Sequence, residues 1–260
     1  MTTTDTLSRS ARRPPVGSTL VAVARRELVG YFATPLAFVF IVVFLIASGL
    51  FTFYIGQFFL VARADLTSFF AFHPWLYLFL IPAISMRLWA EERKSGTMEL
   101  LFTLPIPIWA TIGGKYLAAW LFAGIALVLT FPMWITVNLL GDPDNGVIVA
   151  SYLGSWLMAG AYLSIGSAMS ALTSNQVIAF VLTVVVCFVL MLSGLPMVLD
   201  FFEGWAPRIL VETVASLSFL THFESIQKGV LDLRDFIFFF AMSAFWLFVN
   251  YAALDLQKAG

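Results

Sequence analysis

The stretch EERKSGTMELLFTLPIPIWATIGGK, residues 91–115, is the largest break in the apolar first half of the chain, and its reading decides the fold. Sequence on both sides is hydrocarbon-like, so the break reads as a polar connection between two membrane crossings. Within it, Glu91, Glu92, Arg93 and Lys94 form a dense cluster of mixed sign. Gly96 permits an abrupt change of direction, and Thr97 is placed to cap a short helix over residues 98–104. Pro105 and Pro107 end that helix, because proline lacks the amide donor and fixes its own φ. An apolar turn carrying Met98, Leu101 and Phe102 between charges suits a plug for a partner's groove. It suits equally a segment resting against lipid headgroups.

The rest of the chain has the same two-phase character. It is 61% hydrophobic and only 11% charged, against about 25% charged in soluble domains. With 27 phenylalanines, 8 tryptophans and a mean hydropathy of +0.95, it reads as a multi-span membrane protein. A formal charge of −1 gives no electrostatic reason to expect nucleic acid as a partner. The single cysteine, Cys187, lies in an apolar run, so neither an intrachain disulfide nor a cysteine metal cluster is available. The tetrapeptide IGGK at residues 112–115 lacks the upstream glycine and the following Ser or Thr of a phosphate-binding loop, so the chain is not expected to hydrolyse nucleotide. His73 and His222 are far apart in sequence, and both read as residues of the outer interface.

Six apolar segments, at about residues 36–59, 72–90, 115–137, 151–172, 176–196 and 236–256, each approach the ~20 residues that a helix needs to cross a bilayer. Unpaired amides are too costly in lipid for any other unbroken apolar structure. Six crossings put Arg9, Arg12, Arg13, Arg25, Arg26, Arg87, Arg93, Lys94, Lys115 and Lys258 on one side, and only Arg63, Arg208, Lys228 and Arg234 on the other. The positive-inside rule then predicts that both termini are cytoplasmic. Ionisable groups are scarce within the segments, which weighs against an ion-driven carrier.

Residues 1–19 are polar without the arrangement of a signal peptide and read as a disordered cytoplasmic tail, with residues 20–260 forming a single domain. Over residues 20–32, Leu20, Ala24, Leu28 and Phe32 share one stripe while Arg25, Arg26 and Glu27 occupy the other side. That pattern predicts a helix lying in the membrane interface, or a juxtamembrane turn anchored by its arginines. In the fourth segment Ser155, Ala159, Gly160, Ser164 and Ala168 make a small-residue face for close helix approach, between subunits or within one. The link at residues 173–176 is so short that the fourth and fifth segments must be an antiparallel pair. Residues 207–220 and 223–231 are amphipathic and too short to cross. They read as two half-helices dipping into the outer leaflet with a turn near residues 220–223, or as a cap lying flat, leaving Glu212, Glu224 and Lys228 able to reach water or a partner.

Residues 92–106, ERKSGTMELLFTLPI, resemble the cytoplasmic segment of ABC-2 type transporter permeases. Together with LSFLTHFESIQKGVLDLRD at residues 217–235, the arrangement is similar to the GldF and NosY branch. The resemblance implies an all-α polytopic membrane protein with six transmembrane helices, an N-terminal interface helix, a cytoplasmic coupling helix and an outer re-entrant helical hairpin. It further implies a bacterial or archaeal cytoplasmic (inner) membrane and two paired permease subunits, as a homodimer or a related heterodimer. A cytoplasmic ABC ATPase dimer would supply ATP and Mg, the chain itself holding no cofactor and no catalytic site.

Carried over by motif, Glu91, Glu92, Arg93, Gly96, Thr97, Glu99 and Pro105 would form or brace the coupling helix. Arg25, Arg26 and Glu27 would lie near the ATPase, while Glu212, His222, Phe223, Glu224 and Lys228 would belong to an outer gate or partner contact. Nucleotide-driven closure of the ATPase would move the first, second and fifth spans. The expected function is the transmembrane subunit of an ATP-driven exporter or mechanotransmitter. The alternative is a membrane anchor joining an ATPase to an extracytoplasmic accessory protein without transport, and an ion-coupled carrier stands behind both.

Overall fold

The computed structural model describes residues 16–61, 64–103, 106–203, 206–230 and 232–258, and these residues are helical with short joins. The first helix, α1 (Val16–Phe32), already begins ahead of Leu20. It is followed by α2 (Pro35–Leu50), a π-helical turn (Phe51–Ile55) and the short α3 (Phe58–Val61) and α4 (Thr67–Ala71). Next come α5 (His73–Ser85), α6 (Arg87–Ser95) and α7 (Thr97–Thr103), which hold the polar break. Then follow α8 (Ile108–Val128), α9 (Phe131–Leu140), α10 (Asn145–Leu172) and α11 (Gln176–Leu192). The chain closes with α12 (Pro196–Glu203), α13 (Arg208–Ser216), α14 (Phe219–Gln227) and α15 (Leu233–Lys258). This is an all-α, multi-pass membrane protein.

By length and apolarity, four helical stretches among the described residues suffice to cross a bilayer: Pro35–Leu60, Ile108–Leu140, Asn145–Leu172 and Leu233–Lys258. The bent pair α13–α14 brings the number to five if it is taken as one crossing. Two of the six expected segments are therefore shorter than anticipated. The segment at 72–90 divides into α5, of 13 residues, and α6, because the helix carries Pro82 in its interior and is reset at Met86. The segment at 176–196 ends at Leu192, giving a helix of 17 residues before Ser193, Gly194 and Pro196 redirect the chain.

The centre of the molecule is α10, whose Ala, Ser and Gly residues are almost all buried from Gly154 onward. It packs most extensively on α15, and also against α5, α11, α14, α8 and α6. The small-residue face thus serves packing within the chain. Gly124 and Gly160 show why: a Cβ at the first would lie 2.8 Å from the Trp156 indole nitrogen, and at the second 2.8 Å from that of Trp120. Each glycine opens the space that a tryptophan from the facing helix fills. The two indoles stack with centroids 4.2 Å apart, and each donates to the other's backbone carbonyl, at 2.8 and 3.2 Å. Trp156 is thus a strut between α8 and α10.

Candidate functional site

The glycines of IGGK have a packing role. Residues 112–115 lie inside α8, against which α1 packs along its length. A Cβ on Gly114 would sit 2.7 Å from the Val23 side chain, and one on Gly113 would sit 3.1 Å from Leu20. Glycine is therefore what lets α1 approach, and the approach carries a charge with it. The lysine that follows is 4% exposed, and its Nζ donates to Glu92 Oε1 at 2.8 Å and to Glu27 Oε1 at 3.4 Å. It also stands 5.4 Å from the centroid of the Trp89 ring, a cation–π distance. Lys115, counted from sequence as one more cytoplasmic charge, is the pin that joins α1, α6 and α8.

This arrangement corrects the reading of Glu27, while Leu28 and Phe32 of the expected stripe do pack against the core. The inward stripe runs through Thr19 and Val23, which are buried, to Glu27 and Tyr31, while Arg25 and Arg26 are exposed. Tyr31 stacks on Phe122 of α8 with centroids 5.1 Å apart. A periodicity count puts Glu27 on the polar face, because it scores any carboxylate as outward. A carboxylate with a buried lysine opposite it can turn inward. Burial by itself raises the Glu27 carboxyl, but Lys115 and the Arg26 guanidinium, 2.7 Å away, outweigh it and hold it below its usual range. The same burial, with Glu27 beside it, raises the Tyr31 phenol.

A second fastening holds α6 to α10. Because α6 restarts at Arg87, its first amides lack partners in their own helix. Ser170 of α10 supplies them: its hydroxyl accepts from Trp89 N at 3.1 Å and Ala90 N at 3.0 Å, and donates to Met86 O at 2.9 Å. One turn away, Ser167 accepts from the Trp89 indole at 3.2 Å and from Asn250 of α15 at 2.6 Å. The residues missed by sequence reading are thus Lys115, Ser167, Ser170 and Asn250. The run of serines in α10 was the signal for two of them, but spacing alone marks a close-packed helix and not its partner. These side-chain bonds join α6 to α8 and α10.

The break itself has the expected punctuation. Gly96 adopts a left-handed conformation with φ 71° and closes α6, and α7 starts at Thr97. The Thr97 hydroxyl turns back to Glu92 O at 3.3 Å and to Ser95 at 2.9 Å instead of capping forward. Arg87 and Glu91 form a bidentate pair at 2.8 and 3.1 Å, and this hydrogen bonding holds the Glu91 carboxyl low. Arg93 is half-buried and Lys94 exposed. Met98 is buried and Leu101 packs on the core, so the outward surface of α7 is carried by Glu99, Leu100 and Thr103. The Phe102 side chain and Pro105 lie outside the described residues.

At the other end of α10 the two amphipathic helices α13 and α14 are bent by 63°. The turn falls at Leu217 and Ser218, earlier than the expected residues 220–223, because Ser218 is extended and caps α14 through Thr221 N. Glu212 is exposed and pairs with Arg208, and Glu224 and Lys228 are exposed one helical turn apart. His222 and Phe223 turn inward and are buried. His222 Nε2 faces the Ser216 carbonyl at 3.0 Å and so donates to it, while Nδ1 is hydrogen-bonded with Asp235 Oδ1 at 2.5 Å. His73 is also fully buried, bonded through Nδ1 to Ser155 at 2.8 Å. Each histidine finds its polar partner inside the helix packing. Among the described residues no three His, Cys, Asp or Glu converge as a metal site.

Fold and site together define a polytopic helical membrane protein with a charged helical break fastened to its core. No family model matches the chain. Over 106 residues it is 33% identical to Heme exporter protein B of Rhodobacter capsulatus, a match covering 35% of this chain and 45% of that protein. The chain thus matches less than half the length of this relative. The match does not reach the GldF and NosY branch.

Proposed function

We propose that this chain is the membrane subunit of an ABC-2 type complex, working beside a second permease subunit and driven by a cytoplasmic ATPase that holds ATP and Mg. In this reading α2, α5–α6, α8, α10, α11 and α15 make six crossings of the cytoplasmic membrane. Both termini and the α6–α7 elbow then lie on the cytoplasmic side. The observation that carries the reading is the double fastening of α6, through Lys115 to α8 and α1 and through Ser170 to α10. An elbow so anchored passes a push on α7 into the helix packing instead of bending away from it. The ATPase contacts assigned to it are Glu99 and Leu100 on the outward face, with Arg93 and the exposed Arg25 and Arg26 alongside. Glu91, Glu92, Gly96, Thr97, Met98 and Leu101 set the elbow's shape.

The test is Leu100→Glu in the chain purified with its ATPase. A charge at the centre of a docking patch costs on the order of a hot-spot contact, so stimulated ATP hydrolysis falls about tenfold or more, while membrane insertion is unchanged. Unaltered hydrolysis, or labelling of Lys94 from outside sealed cells, would end the proposal.

A further inference from the structure

The two arms of the bent pair are held very differently. α14 buries Phe219, His222, Phe223 and Ile226 and packs on α10, α15, α11 and α4. Glycines let it settle there. A Cβ on Gly154 of α10 would lie 2.9 Å from the Ile226 side chain, and one on Gly194, just past α11, would collide with the hydroxyls of Ser218 and Thr221. α13, by contrast, buries Val211 alone among its described residues and packs chiefly on α12. The Ser216 carbonyl lies in its last turn, where a helix offers no donor of its own, and it is bonded to His222 Nε2 at 3.0 Å. His222 Nδ1 is bonded in turn to Asp235, at the start of α15. One imidazole thus ties the loose arm to the fixed arm and to α15.

Both atoms that the ring nitrogens meet are oxygens of a carbonyl and a carboxyl group, and a neutral imidazole has one N–H to give. Keeping both bonds takes two protons on the pair: one on each ring nitrogen with the carboxylate ionised, or one on Nε2 and one on the carboxyl group. With one proton gone, a single N–H stands between two acceptors. The carboxylate keeps it, because hydrogen bonds to a charged group are the stronger ones and Asp235 is buried with no donor to Oδ2 among the described residues. Nε2 then turns a lone pair toward the Ser216 oxygen, and the tie to α13 is lost. We propose that His222 and Asp235 form a proton-operated latch, which holds α13 to α14 while the pair keeps two protons and frees it when one leaves. Opening releases a proton, so rising pH opens the latch. No ATPase takes part, so the latch survives or fails separately from the coupling proposal.

Among the described residues no other charged group is bonded to this imidazole. On α13 Arg208 pairs with Glu212, on α14 Lys228 faces Glu224, and all four are exposed. Asp232 and Arg234, beside Asp235, are exposed as well. From α10 come Asp144, which caps that helix, Tyr152, bonded to Thr130, and Tyr162, stacked on Phe219. α11 brings the buried Cys187, α4 brings no ionisable side chain, and α8, which packs on α15, brings Tyr116 and the Lys115 held by Glu92.

The test is double electron–electron resonance on the full-length protein in nanodiscs, with spin labels at Ile209→Cys on α13 and Lys228→Cys at the end of α14, in a Cys187→Ala background. With His222 and Asp235 intact, the single label distance at about pH 5 should give way to a broad distribution by about pH 9. For one proton released, the open-to-closed ratio rises by up to about tenfold per pH unit. Asp235→Asn offers an amide N–H to Nδ1 and leaves the one imidazole proton on Nε2, so the closed distance should persist throughout. His222→Leu removes the tie and should give the broad distribution at every pH. A distance that stays fixed between about pH 5 and pH 9 with both residues intact overturns the latch. So does an Asp235→Asn protein that opens with pH in the same way, or a folded His222→Leu protein that keeps the closed distance. Should His222→Leu not fold, the other two proteins decide.

Discussion

Replacing Lys115 with methionine keeps most of the side-chain volume and removes the charge that Glu92 and Glu27 share. At an effective dielectric of about 20, unit charges about 4 Å apart attract by about 4 kcal/mol, and the two carboxylates lie closer than that, at 2.8 and 3.4 Å. Much of this gain is offset by desolvating a lysine only 4% exposed. The net worth of the cluster is therefore small, whereas breaking it is expensive. Removing one member of a fully buried pair costs about 3–5 kcal/mol. Here Glu92 and Glu27 keep 21% and 23% exposure, and Arg26 remains on Glu27. Lys115→Met should therefore destabilise by about 3 kcal/mol, the low end of that range. Adding Glu92→Gln to Lys115→Met removes the stranded charge and should recover about 1–2 kcal/mol. Equilibrium unfolding by steric trapping in bicelles measures all three proteins. A single variant within about 0.5 kcal/mol of the wild type, or a double variant whose losses simply add, would refute the view of Lys115 as a pin.

The serine fastening makes a separate prediction. Ser170→Ala strands the Trp89 and Ala90 amides, at about 1–3 kcal/mol for each unsatisfied group. Hydrogen exchange at those amides should accelerate while exchange within α15 is unchanged, and equal protection in both proteins would contradict the assignment. Acid should loosen α1 through Glu27, whose carboxyl is held below its ordinary value by Lys115 and Arg26 against the opposing effect of burial. A carboxyl lower in the folded than in the unfolded state, where it titrates near about 4.3, contributes stability above that pH and loses it as pH falls through the folded value. The stability gap between wild type and Glu27→Gln should therefore shrink as pH is lowered from about 6 to about 3, and a constant gap would remove Glu27 from the cluster.

Hydropathy and punctuation, which are local, were legible in the sequence. The apolar runs specify helices because lipid leaves backbone amides no other partner, and Gly96 ends α6 because a left-handed turn there needs no Cβ. The elbow at residues 91–103, the antiparallel pair joined at 173–176 and the bent pair near Ser218 follow from the same local rules. The direction of individual side chains was decided only by the tertiary structure. Glu27, Lys115, His73 and His222 are polar residues whose partners, Lys115, Glu92, Ser155 and Asp235, come from other helices. A periodicity count assigns such groups to water, whereas a folded chain can bury them once the opposite charge or hydrogen bond arrives from a distant segment. The glycines of IGGK make the same point: the sequence excludes a phosphate loop there, and only the approach of Leu20 and Val23 reveals what their missing side chains are for.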